Sequence, residues 1–184
     1  EGTPLNALLD LLSTLVSQIR LLADEFGKVY IPCVAGNHGR TSAKPRAKQR
    51  AETNFDWLLY QFLALQFQGD ERVIVHAPTS PELTYKVFGH TYHLCHGDQL
   101  GKGGDGIIGS FGPIIRGDHK RRALQAQLNC PYDTLVHGHY HSYAATRRFI
   151  SNGSLVGLDE YALACGFGYE TPQQAFWLTH PDHG

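Results

Sequence analysis

At 184 residues, 42% of them hydrophobic and 18% charged, the chain is long enough to bury a real core, which excludes a disordered or low-complexity protein. A formal net charge of −1 excludes a molecule-wide pull toward nucleic acid or membrane. Its apolar stretches are interrupted short of the ~20 residues a bilayer demands, and no basic-then-apolar leader is read; the expectation is no membrane.

Thr3-Pro4 reads as a cap followed by proline at the first helical position. Leu5, Leu8, Leu9, Leu12, Leu15, Val16, Ile19, Leu22 and Phe26 then recur at helical spacing, and Gly27 supplies the stop. This predicts a core-packing amphipathic helix. A short strand is predicted over 28–34, ending at Ala35-Gly36, and a second helix over about 47–67. Strands are expected at 72–76, 85–88 and 91–96, the last two joined by a Gly89-His90 turn. Residues 97–112 hold seven glycines and read as a loop. A helix near 113–128, a strand at 134–137 and further strands at 146–150 and 174–179 complete an α/β pattern in a single domain spanning 1–184. Cys33, Cys95, Cys130 and Cys165 form no Cys-x-x-Cys pair; reduced thiols and a cytoplasmic location are expected.

Three clusters sit where predicted strands end. Gly36-Asn37-His38 places an amide oxygen and an imidazole after a sharp turn; taken alone, such a tripeptide is usually just a turn. His96-Gly97-Asp98 offers a possible ligand with a carboxylate to orient it, or a histidine that satisfies loop carbonyls. His137-Gly138-His139-Tyr140-His141 puts three imidazoles within five residues, which packing explains poorly. In an extended segment His139 and His141 point the same way and reach one locus or two adjacent ones.

The ordered series Gly-Asn-His, His-Gly-Asp, Gly-His-x-His resembles the calcineurin-like metallophosphoesterase family, from about Val29 to the end of the chain. Ser151-Asn152-Gly153-Ser154 is similar to the turn that follows the family's last histidine motif. The resemblance implies a two-sheet α/β sandwich flanked by helices and two divalent metal ions, of manganese, zinc or iron. It implies Asn37, His96 and His139 as ligands of the second ion and His141 as a ligand of the first. His38 becomes the residue facing the leaving-group oxygen. In such sites two ions hold the phosphate and activate water for in-line attack at phosphorus.

The sequence departs from the family in two places. Gly39 stands where the family has an acidic residue, so whatever orients His38 comes from elsewhere. The family's leading Asp-x-His and Gly-Asp-x-x-Asp motifs, which carry the bridging carboxylate, are not found, and the chain contains no Met. The expectation is an N-terminally incomplete domain, inactive by itself as an enzyme.

Ten of the 16 Lys and Arg lie within 40–50 or 102–122. Arg40, Lys44, Arg46, Lys48 and Arg50 follow the Asn-His turn with no acid before Glu52, while Lys102, Arg116, Lys120, Arg121 and Arg122 surround the glycine-rich loop. They could track a phosphate backbone or form solvated faces. Arg40, Lys44, Arg46, Arg121 and Arg122 are the candidate substrate contacts. A nuclease or other phosphodiesterase acting on nucleic acid is therefore expected. The alternatives are a phosphomonoesterase of small nucleotides and an inactive binding or scaffold domain that keeps the fold.

Overall fold

The computed structural model describes residues 3–101 and 111–184. Part of the expected glycine-rich loop, 102–110 with Lys102, lies outside the described residues. Among those described, the chain is mixed α/β, with two sheets and four helices. It divides into two compact units, one ending at Leu83 and the other beginning at Thr84.

The first unit opens with α1 (Pro4–Phe26), capped by Thr3, whose hydroxyl accepts the Asn6 N–H, and stopped by Gly27 at φ 78°. Val16, Ile19 and Ala23 of α1 pack against Leu63, Phe67 and Val73. Only the middle of the expected stripe is buried: Leu5 and Leu9 on the first turns and Leu22 and Phe26 on the last are exposed. Among the described residues α1 alone is long and apolar enough to cross a bilayer, a property shared by core helices and signal sequences. Strands β1 (Val29–Pro32) and β2 (Val73–His76) pair in parallel, Val29 opposite Val73.

Helix α2 runs only over Phe55–Gln66, shorter than the sequence predicts. Asn54 caps it by accepting the Asp56 N–H at 2.8 Å. Residues before it are drawn elsewhere: Arg40 bridges Asn54, and Thr41 N–H donates to the Thr53 carbonyl. Those bonds take the backbone groups that an earlier helical start would need.

The second unit holds a sheet in the order β3-β4-β5-β7-β6. The strands are β3 (Glu82–Val87, starting at the unit boundary), β4 (His90–Cys95), β5 (Thr134–His137), β6 (Ala144–Ala145) and β7 (Phe149–Ser151). β4, β5 and β7 run parallel, with Cys95 opposite His137 and His137 opposite Ser151. Helix α3 (Phe111–Gln127) packs Ile114 into a core with Cys95, Leu100, Tyr132, Leu135 and Phe149.

Three expectations are corrected here. The β3–β4 turn falls on Phe88-Gly89, one residue early, with Phe88 at φ 52°. The expected strand at 146–150 starts later, because Thr146 Oγ1 accepts the N–H groups of Arg148 and Phe149 in a local turn. Residues 174–179 form no strand; side chains tie them down instead, as where Ala175 N–H donates to Asn152 Oδ1. A short helix that the sequence reading missed, α4 (Glu160–Cys165), is capped by Asp159 and closed by left-handed Gly166.

Candidate functional site

The Asn37-His38 turn follows β1. Burial pushes the Cys33 thiol, just past the strand, up to about 12, so it stays protonated and unreactive at neutral pH. The segment after it is tied to its surroundings almost residue by residue. Tyr60 OH donates to the Val34 carbonyl and Arg50 to the Ala35 carbonyl. Asp56 Oδ2 accepts the Gly36 N–H, and Asn54 Nδ2 donates to the Gly36 carbonyl, each at 2.8 Å. The Arg40 guanidinium donates to the Asn37 carbonyl. Asn37 is half-buried and His38 exposed. Of the expected cations here, Arg40 and Arg50 brace the turn, whereas Lys44, Arg46 and Lys48 are exposed on the segment beyond it.

In the second unit, adjacent parallel strands deliver the other two motifs. Gly138 N–H donates to the His96 carbonyl at 2.9 Å, extending the β4–β5 pairing into the turns. Gly97 sits at φ 121°, and a Cβ there would lie 2.6 Å from Gly138 O and 2.9 Å from His139 Cβ. Glycine is therefore required twice over, by backbone and by space. This close crossing brings the His96 and His139 rings edge to face, centroids 5.1 Å apart.

His139 at φ 72° and His141 at φ 54° are both left-handed, a region that costs a non-glycine residue about 1–2 kcal/mol. The segment is not extended here, so the expected same-side projection of alternate residues gives way to two environments. His139 meets His96; the His141 ring faces Phe167 at 5.4 Å and Tyr161 at 6.2 Å. Between them, Tyr140 OH donates to the Gly101 carbonyl. The first imidazole of the motif is buried in the core instead of joining the other two. His137 is 1% exposed, its Nδ1 lies 2.9 Å from the Gly138 carbonyl, and its buried Nε2 has no partner. With Nδ1–H as the donor, Nε2 carries the lone pair. Burial pushes this imidazole down to about 4, so it is neutral at physiological pH.

Neighbouring elements hold this crossing in place. Asn152, in the turn after β7, donates its N–H to the His137 carbonyl at 2.7 Å. A Cβ on Gly117 of α3 would lie 2.6 Å from the Leu100 carbonyl, so the helix sits directly on the turn after His96. Arg121 reaches the Gln99 carbonyl at 3.5 Å. Arg122 is committed within the protein: Nε binds Asp118, Nη1 the Tyr132 carbonyl, and Nη2 the carbonyls of Asp133 and Arg148. Asp118, 2% exposed, also accepts from Tyr132 OH and Arg148. For Arg122, one of the candidate substrate contacts, the signal in the sequence for this internal pairing is its spacing of four from Asp118 on one helix.

Two imidazoles at one locus are a fitting donor set for a borderline divalent ion. Among the described residues no three His, Cys, Asp or Glu side chains come together as a metal-binding group. A scan against family models finds no match, and searches of curated proteins and of solved structures find none either.

Proposed function

We propose that the protein is a metal-dependent phosphoester hydrolase of the calcineurin-like sandwich type, acting on phosphodiesters of nucleic acid. One observation carries the reading. Two parallel strands end in turns packed so closely that only Gly97 fits between them, and this presents His96 to His139, with His139 held left-handed. Backbone strain persists where the surroundings over-determine it, and it clusters at functional sites.

In this proposal His96 and His139 would hold one divalent ion and His141 would serve a second, while Asn37 keeps the ligand role that the resemblance implies. Divalent ions held there would supply Lewis-acid polarisation of the phosphoryl group. The chain's own residues do the rest. Water adds to phosphorus, releasing a proton to solvent, as the ester P–O bond opposite it breaks, and His38 delivers a proton to the departing oxygen. Lys44, Arg46 and Arg121 attract the phosphate backbone, while Arg40 and Arg122 are braced against carbonyls of their own units.

The test is hydrolysis of a chromogenic phosphodiester and of an oligonucleotide, with manganese supplied, by the chain and by a version extended upstream. Metal-dependent turnover that falls at least a hundredfold in H139A supports the reading. Turnover by neither version, or turnover indifferent to H139A, overturns it.

A further inference from the structure

Gly39, just past His38, has no backbone reason to be glycine, because its φ lies outside the left-handed region. Space is the reason. A Cβ there would lie 2.2 Å from Asp56 Oδ1 and 2.4 Å from Asn54 Oδ1. Neither group can swing away without cost. Asn54 Oδ1 caps α2 through the Asp56 N–H, and its Nδ2 holds the Gly36 carbonyl. Asp56 Oδ2 holds the Gly36 N–H. Between them, Phe55 N–H donates to the Gly39 carbonyl at 2.7 Å. Three consecutive residues thus grip both ends of the four-residue turn that carries Asn37 and His38.

We propose that Asp56 is a positioning residue for this turn, acting with Asn54. Its carboxylate fixes the path of the backbone at Gly36, and hence the direction in which Asn37 and His38 leave it. Position 39 is glycine to admit that carboxylate. The role rests on the reading of Asn37 as a metal ligand. Outer partners that orient ligands typically change metal affinity 10–100-fold when removed.

Manganese affinity of the full chain, measured by electron paramagnetic resonance, tests it through a double-mutant cycle. D56A is expected to weaken binding about tenfold, and N37A comparably. The double variant N37A/D56A is expected to bind no more weakly than N37A, because Asp56 acts through Asn37. D56N keeps an oxygen that can accept the Gly36 N–H and is expected to recover most of the affinity. Hydrogen exchange at the Gly36 amide gives a separate reading: about tenfold faster in D56A, near wild type in D56N. Should D56A fail to fold, D56E, which displaces the carboxylate by one methylene, enters the same cycle.

Additive losses in the double variant overturn the role, as does wild-type affinity in a D56A whose Gly36 amide exchanges faster. A wild-type chain that binds no manganese overturns the metal reading of Asn37 itself and this role with it.

Discussion

The two turn regions are held in place by different means. The Asn37-His38 turn is gripped mainly by side chains: Asp56, Asn54, Arg40 and Arg50 reach in to backbone groups over 35–37. The crossing of the His96 and His139 turns is held by backbone against backbone, with Gly138 N–H on the His96 carbonyl and no room for a side chain at Gly97. A turn gripped by side chains can be loosened in steps, one substitution at a time. A backbone crossing has few adjustable parts and fails only where a new atom cannot fit or where the support behind it is removed.

The largest expected effect comes from that support. Asp118→Ala leaves Arg122, Arg148 and the Tyr132 hydroxyl without their shared acceptor, next to the sheet that carries the crossing. Breaking a buried ionic group costs about 3–5 kcal/mol, though the exposure of Arg148 lowers the share that its pair contributes. Urea denaturation should show the loss, and an unchanged midpoint would mean that the cluster does not support the second unit.

Acid should act on the same region through His137. Its folded value of about 4 lies below the ~6.5 of an unfolded chain, so the unfolded state takes up the proton first. The stability this histidine contributes is complete above pH 6.5 and is lost progressively as pH falls toward 4, about 3 kcal/mol in all. Replacing it with Phe should flatten that part of the stability–pH curve. A curve of the same slope in the variant would assign the acid sensitivity elsewhere.

Next comes a pair of glycines. Gly97→Ala meets both a left-handed φ and a carbonyl at 2.6 Å, and about 2–3 kcal/mol is expected by analogy with overpacked cores. Gly138→Ala finds its nearest neighbour, His96 O, at 3.7 Å and should stay within about 0.5 kcal/mol. Equal effects at the two positions would erase the distinction between the crossing strand and its partner. Smaller than the Gly97 effect is the loss of the α2 cap: Asn54→Ala should cost about 1 kcal/mol by thermal melting, confined to the side-chain-held turn.

The sequence announced what periodicity and capping encode. The long helix shows in its leucine spacing with Thr3-Pro4 and Gly27 at its ends, and β5 shows in Thr134–His137 bounded by glycine. The start of α2 was hidden because Ala47–Thr53 carries no strong breaker; the tertiary bonds of Arg40 and Thr41, with Gln49 in a left-handed turn, keep that stretch out of a helix. The histidines of the last motif were legible as a cluster, but their left-handed backbone was not, since nothing local obliges histidine to adopt it. Asp56 was invisible for a related reason. The space it fills belongs to a glycine 17 positions earlier, and only the fold puts the two together.

The central claim is that His96 and His139 share one metal ion. Its most direct test is nitrogen NMR of the histidine rings during titration with zinc. The ring signals of His96 and His139 are expected to shift together, at the same ratio of metal to protein, while the buried His137 does not move. Signals that titrate separately, or that stay unchanged as zinc is added in excess, would contradict it.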